Sequence, residues 1–265
     1  MKGLRSDPLL CTMIAVAGMV LFAITLPLIV VAATSFNPTE ESAFPPNGWS
    51  LRWFFNIARQ PQLVHAFKIS LALAFLSSIA STAVGTAAAL TLHRNAFRGH
   101  GVIDAWLMSP LIVPQVIVGL AYLVFFIRIG SKMTFLNLAI LHATLTLPYS
   151  IRLVRSALMQ LNARTEEAAI GLGASQWQAL SLVVLPQIKT SLLISFLFSF
   201  VLSFDNFTAT AFLTSDVETL PVAIFTYLDA TQDPTISAIS TLLTVATSLF
   251  VLVADRLVGM RRLVR

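Results

Sequence analysis

With 265 residues, 57% of them hydrophobic and 11% charged, the chain lacks the polar residues to cover a water-facing surface, for which soluble proteins use about 25% charged residues. Its mean hydropathy of +0.83 places it in a bilayer. The formal charge of +5 is therefore a question of where bases sit relative to membrane spans, not a signature of nucleic-acid binding. The single cysteine, Cys11, excludes an internal disulfide and a cysteine metal cluster.

Six apolar runs reach the roughly 20 residues that a helix needs to cross a bilayer: Leu9–Ala33, Phe67–Leu92, Val102–Ile127, Phe135–Val154, Ile188–Leu213 and Ile236–Val258. The first follows Met1-Lys2-Gly3-Leu4-Arg5 like a signal sequence, but it is too long for one, and Ala32-Ala33-Thr34 is a poor cleavage site. It reads as a retained span. An even number of spans puts both termini on one side. With that side cytoplasmic, 12 of the 17 bases lie inside: Lys2, Arg5, Arg94, Arg98, Arg152, Arg155, Arg164, Lys189, Arg256, Arg261, Arg262 and Arg265. Arg52, Arg59, Lys68, Arg128 and Lys132 lie outside, and the imbalance sets the termini in the cytoplasm.

The first outer loop, Thr34–Ala66, carries Pro38, Pro45-Pro46 and the aromatics Trp49, Trp53, Phe54 and Phe55. The prolines predict turns, and the aromatics a short helix at the interface, either as an anchor or as a docking surface for an external partner. In the second span Ser77, Ser81, Gly85 and Ala89 recur every four residues, beside a stripe of Ala74, Ser78, Thr82 and Thr86. Small residues at that spacing let helix backbones approach closely, within the subunit or against another. Pro110, Pro114 and Gly119 predict a bent third span, and Pro148 asks for the same in the fourth.

Between the fourth and fifth spans lies a polar insert. Asn162 and Thr165 are candidate N-caps, Glu166 and Glu167 suit a first helical turn, and Gly173 suits a helix end. Ser175-Gln176-Trp177-Gln178 fits a capping box, so a second helix starts there and Pro186 marks the break before the fifth span. The expectation is helix, glycine turn, helix, standing out of the membrane.

In the fifth span, Asp205 is the one acid placed deep in an apolar run; Asp104 and Asp255 sit near span ends. An intramembrane carboxylate costs about 3 kcal/mol on insertion scales and marks a functional site by default. It either faces a water-filled path or bonds Ser203, Asn206, Thr208 or Thr210. Beyond it, the last outer loop carries Asp216, Glu218, Asp229 and Asp233 without a base. That is either an acidic mouth for cations or basic docking partners, or ordinary avoidance of bases outside.

The insert is where the sequence becomes recognisable. Glu167-Ala168-Ala169, three residues, Gly173, nine residues, then Val183-x-Leu185-Pro186 resembles the EAA loop of binding-protein-dependent ABC importer permeases. Met108-Ser109-Pro110, Leu147-Pro148-Tyr149 and Leu202-Ser203-Phe204-Asp205-Asn206 extend the resemblance to second permease subunits of spermidine/putrescine-type importers. The resemblance implies an all-α membrane protein with six transmembrane helices. Its fold would be that of a type I ABC importer permease (MetI-like), one permease domain over residues 1–265 with a cytoplasmic coupling loop at 156–187. It also implies a multi-pass protein of the bacterial inner membrane that is not itself an enzyme. Its partners would be a second permease subunit, as a heterodimer, two cytoplasmic ABC ATPase subunits that bind ATP and magnesium, and an extracytoplasmic solute-binding protein. This chain would bind no cofactor, no metal and no nucleic acid. Glu167, Ala168, Ala169, Gly173, Leu185 and Pro186 would couple it to the ATPase. Asp205, Asn206, Phe204 and Tyr149 would line the solute pathway, the aromatics and Phe207 supplying cation–π contacts.

One position departs from the family pattern: polyamine-type members commonly carry two adjacent acids where this chain has Asp205-Asn206. A mono-cationic or zwitterionic solute, such as an opine, an amino-acid derivative or an aminophosphonate, competes with a polyamine. The chain shows no Walker A pattern and no H-E-x-x-H, and His65, His93, His100 and His142 have no ligand spacing. A secondary transporter is one rival, weakened by the lack of an evident internal repeat; a purely structural membrane subunit is another, against which Asp205 and the bent third span speak.

Overall fold

The computed structural model describes residues 8–41, 43–94, 98–132, 134–214, 217–231 and 233–258. Lys2, Arg5, Asp216, Arg261, Arg262 and Arg265 lie outside them, as does the side chain of Asp255. All regular structure among the described residues is helical: α1 (Pro8–Thr34), α2 (Arg52–Ala58), α3 (Pro61–Arg94), α4 (His100–Met108), α5 (Gln115–Arg128), α6 (Phe135–Met159), α7 (Ala163–Gly171), α8 (Gln176–Ala179), α9 (Leu185–Gln187), α10 (Lys189–Phe204), α11 (Leu220–Ala230) and α12 (Thr235–Val258).

The apolar runs become helices of unequal kind. Among the described residues, Leu9–Thr34, Pro61–Arg94 and Thr235–Ala254 are long and apolar enough to cross a membrane unbroken. The third expected span is instead a pair, His100–Leu111 and Gln115–Arg128, bent by 102°. Its prolines explain the break: Pro110 sits in the 3₁₀ turn Ser109–Leu111, and Pro114 precedes the first residue of α5. The fifth run starts at a bend of 68°, where Gln176–Gln187 of the insert meets Lys189–Phe204, and its helix ends at Phe204, short of Leu213. The fourth, α6, is a single 25-residue helix that runs through Pro148 without interruption. It carries Asn137, His142, Thr146 and Ser150 among its buried residues, which lowers its apolar character.

The packing divides into two compact units: residues up to Val64 with Ile224–Leu249, and His65–Ala223 with the residues from Phe250. In the first, Asn37 organises the loop after α1. It is fully buried, and its Nδ2 donates to Glu41 O (3.1 Å) and Ala43 O (2.8 Å). The indole N–H of the buried Trp53 donates to Asn37 O at 2.7 Å, which holds α2 as the expected short helix. Trp49 and Phe55 stay largely exposed beside it. Asp233 accepts from the backbone N–H of Thr235 at 2.9 Å and from the Tyr227 hydroxyl at 3.0 Å, so this acid of the last outer loop is engaged at the start of α12.

In the second unit, α3, α6 and α10 share a seam of small and hydroxyl residues. Ser77, Ser78 and Ser81 of α3, Thr146 and Ser150 of α6, and Ser195, Ser199 and Ser203 of α10 are all buried. Recurrence every four residues places each set on one helix face. Ser77 Oγ lies 2.9 Å from Ser203 Oγ, and Ser150 Oγ lies 3.1 Å from Ser199 Oγ. At Gly85 a Cβ would come within 2.6 Å of Ser150 Cβ and 3.2 Å of the Ile151 nitrogen. The small-residue stripe of the second span is therefore a contact face inside the subunit. Close backbone approach supplies the dispersion energy that lipid cannot. Two apolar clusters flank the seam, one around Leu73, Phe126, Leu138 and Leu141, the other around Leu92, Ile151, Val154 and Leu180.

Candidate functional site

Two regions gather the residues singled out from the sequence, and both lie in the second unit. The first is the insert. Asn162 caps α7, its Oδ1 accepting from Arg164 N–H at 3.1 Å, while Thr165 lies within the helix. Past Gly171 the chain turns at Gly173, whose φ of +92° is left-handed and suits glycine alone among ordinary choices. Gly173 N–H donates to Ile170 O at 2.9 Å and Ala174 N–H to Ala169 O at 3.1 Å, the Schellman pair that satisfies the last carbonyls of a helix. The next helix opens on a complete capping box: Gln178 N–H donates to Ser175 Oγ at 3.3 Å, and Ser175 N–H to Gln178 Oε1 at 2.8 Å. It continues through a π turn, Leu180–Val184, to Gln187.

Within this hairpin, Glu167, Ala168 and Gly173 are exposed and Ala169 is half-buried. Leu185 is half-buried and Pro186 exposed, at the start of the short α9 before the bend. Leu172 is 90% exposed, Trp177 74% and Leu182 73%, which adds an uncovered apolar surface to a polar insert. The sequence reasoning missed these three; their signal was apolar residues placed inside an otherwise polar segment. Arg94, in the last turn of α3, pairs with Glu166 of α7, each side chain about 30% exposed. The pair borders a cleft of about 380 Å³ that Asn162, Glu167 and Gln187 also line.

The second region is the end of α10. Asp205 does not sit inside a helix: it is the C-cap of α10, where the chain leaves helical geometry. Its side chain is exposed, and among the described residues its carboxylate makes no hydrogen bond or ion pair. The local partners considered from sequence are used otherwise. Asn206 is buried, with its Nδ2 donating to Gln115 Oε1 of α5 at 3.0 Å. Its Oδ1 accepts from Ala209 N–H at 3.3 Å and lies 3.1 Å from Thr210 Oγ1. Asp104, by contrast, is paired with Arg155 at 3.1 Å.

His142, set aside in the sequence for lack of ligand spacing, is a hub of this region. It is 1% exposed, with Nδ1 2.8 Å from Ser203 Oγ and Nε2 2.9 Å from Thr210 Oγ1. The recurrence His142, Thr146, Ser150, every four residues in an apolar helix, was the available signal. A cavity of about 30 Å³ beside it is lined by Gln115, His142, Tyr149, Ser203 and Asn206. Organic solutes need pockets about ten times larger. Tyr149 and Asn206 thus come together, whereas Phe204 packs elsewhere, its ring 6.1 Å from both Phe67 and Phe200. The Tyr149 ring packs on Phe198 at 5.4 Å. Among the described residues no three His, Cys, Asp or Glu side chains gather to hold a metal ion.

A helical hairpin on a bundle with broken helices agrees with what comparison finds. The model of the binding-protein-dependent transport system inner membrane component matches residues 5–261. The chain belongs to this family. It is 30% identical over 237 residues to the spermidine/putrescine transport system permease protein PotC of Escherichia coli (strain K12), covering 88% of each chain. It is 29% identical to the putrescine transport system permease protein PotI of the same organism, covering 82% of this chain and 80% of that one. In fold it is similar to a chain of a bacterial alginate ABC transporter solved in complex with alginate pentasaccharide-bound periplasmic protein. There the TM-score is 0.72 at 18% identity, over 95% of this chain and 94% of the other. A chain of the MetNI methionine ABC transporter matches with a TM-score of 0.62, over 75% of this chain and 95% of that one. The fold is therefore the MetI-type permease fold of a multi-pass inner-membrane protein.

Proposed function

We propose that the chain is one permease subunit of an ATP-driven, binding-protein-dependent importer for a small cationic organic solute of the putrescine or spermidine type. The relatives named for polyamine transport support the solute class. The observation that carries it is Asp205, an exposed carboxylate, unpaired among the described residues, at the C-terminal end of a broken helix. A helix C-terminus presents unsatisfied carbonyls and a partial negative charge. Helix ends of this kind inside transporters coordinate cations. Asp205 adds a full charge at the same place, so a cation is stabilised twice over.

The hairpin α7–α9 is the coupling element in this scheme. It faces the cytoplasm, as the termini do, and seats in a cleft of one of two ATPase subunits. Exposed Leu172, Trp177 and Leu182 give that contact apolar area, Ala168 and Ala169 let it seat closely, and Glu167 adds a polar contact. Leu185 and Pro186 fix the hinge between hairpin and α10. ATP and magnesium are bound by the ATPase, and the solute arrives on an extracytoplasmic binding protein. A second permease subunit, in a heterodimer, completes the pathway.

A second solute class has its own observation. Asn206 spends its amide on Gln115, Ala209 and Thr210, so this chain offers one acid and not two. A solute with a single ammonium group, such as an opine or another amino-acid derivative, needs no more. Uptake of radiolabelled putrescine by the reconstituted transporter tests the assignment: Asp205→Asn lowers uptake at an unchanged ATPase rate. Uptake equal to wild type would remove Asp205 from the pathway.

A further inference from the structure

We infer that His142 is a positioning residue for the solute pathway, fixing the direction in which the chain leaves α10 and hence where the Asp205 carboxylate stands. The inference rests on the assignment of Asp205 to that pathway and deepens it. Among the described residues Asp205 is held only through its own backbone: its N–H bonds Val201 O, and its side chain has no partner. Its placement is set by its neighbours on either side, and His142 joins both. The ring bridges Ser203, two residues before Asp205, and Thr210, five residues after it. Ser203 is also bonded to Ser77 of α3, and Thr210 Oγ1 donates to Asn206 O at 2.8 Å.

A neutral imidazole carries one N–H, so it donates to one hydroxyl and accepts from the other. Few side chains present a donor and an acceptor at opposite edges of one rigid plane, and both are required at this position. Both hydroxyls are themselves buried, and losing the ring nitrogens leaves each with its local partner alone, Ser77 for Ser203 and Asn206 for Thr210, so the link between them is gone. The segment after the break is gripped a second time from α5. A Cβ on Gly119 would lie 2.7 Å from Ala209 O and 2.9 Å from Ala209 Cα. With α5 seated on one side and His142 of α6 on the other, residues 206–210 have one course, and Asp205 stands at its start.

The test uses the assembled transporter in detergent, with Cys11→Ser removing the native thiol and Asp205→Cys reporting the position. The probe is a quaternary-ammonium methanethiosulfonate, and Phe55→Cys in the same background is the reference site. His142→Phe, which keeps the ring and loses both hydrogen bonds, should change the labelling rate at position 205 roughly fivefold without changing the rate at position 55. His142→Gln, with a donor and an acceptor, should restore most of the wild-type rate. An unchanged rate at position 205 in an assembled His142→Phe complex overturns the inference. Should that complex fail to assemble, Thr210→Val removes one link and leaves the ring in place, and the same criterion applies to it. Putrescine uptake separates the two claims. A labelling change with no effect of Asp205→Asn on uptake sinks the pathway assignment alone, while the reverse sinks the positioning role alone.

Discussion

Replacing Gly119 with alanine adds one methyl group where α5 meets the chain beyond α10. Built on the existing backbone, that carbon lies 2.7 Å from Ala209 O, 2.9 Å from Ala209 Cα and 2.9 Å from Phe212 Cδ2, against 3.4 Å where ordinary contact begins. Two of the three atoms are backbone, so no rotamer change relieves the clash; either α5 or residues 209–212 must move. Overpacking of this kind costs about 1–3 kcal/mol, and the better helix propensity of alanine returns up to about 1 kcal/mol. The net loss of about 1–2 kcal/mol corresponds to a melting temperature lower by a few degrees, at roughly 2–4 °C per kcal/mol for chains of this length. Gly101→Ala is the matched control, because nothing lies within 4 Å of its Cβ. The assay is thermal unfolding of the assembled transporter in detergent, paired with putrescine uptake in proteoliposomes. Gly119→Ala should melt earlier and raise the KM for uptake, since the displaced segment begins next to Asp205. A variant that melts with the wild type and transports with the same KM would refute the close approach of α5 to Ala209.

Three further outcomes concern the hairpin. Gly173→Ala forces a left-handed residue to carry a Cβ, at about 1–2 kcal/mol, and should uncouple ATP hydrolysis from uptake, as should Glu167→Ala, with assembly retained; Gly173→Asn should recover part of the coupling, measured as solute moved per ATP. Leu172→Ser leaves the fold intact, because the side chain is 90% exposed, yet should weaken ATPase binding about tenfold or more, from the roughly 1.5–3 kcal/mol of burying a leucine; equal binding in a titration of the purified subunits would take Leu172 out of the contact. Arg94→Glu should impair coupling and the double exchange Arg94→Glu with Glu166→Arg restore it. The pair is partly exposed, so its coupling energy in a double-mutant cycle should not exceed about 1 kcal/mol.

The hairpin was legible from sequence because its signals are local. A cap, a positive-φ glycine and a capping box act within four or five residues, and Asn162, Gly173 and Ser175–Gln178 occupy those roles. The four-residue recurrence in α3 was equally legible as a contact face, but which helix it meets is a tertiary fact, and the Ser81–Ser150 and Ser77–Ser203 contacts span 69 and 126 residues. The third span shows how far composition reaches: Pro110 and Pro114 predict a bend, and nothing local fixes its 102°. Hydrophobicity that continues through Leu213 predicts a continuous span with Asp205 inside it. The helix stops at Phe204 instead, because Asn206 and Thr210 satisfy backbone and side-chain groups that a helix would otherwise use. For His142 the four-residue recurrence with Thr146 and Ser150 marks a face, and what that face meets is again a tertiary fact. Its partners come from α10 and the turn beyond it, 61 and 68 residues away.

The break after α10 also explains why one acid and one amide stand side by side. An unwound segment in an apolar environment survives only where its freed backbone groups find partners. Asn206 has both an acceptor and a donor, and uses them on Ala209 N–H and on Gln115; a carboxylate in its place would only accept, so Gln115 would have to turn its amide and donate. An acid at 206 would leave a second negative charge next to Asp205, with no base among Gln115, Ala209 and Thr210, which meet Asn206. The division of labour follows from this. Asn206 holds the break, His142 fixes its direction, and Asp205, with no side-chain bond among the described residues, is left with its charge. For a dication, that charge and the partial charge of the α10 terminus answer one ammonium group, and the second needs a counter-charge other than Asn206.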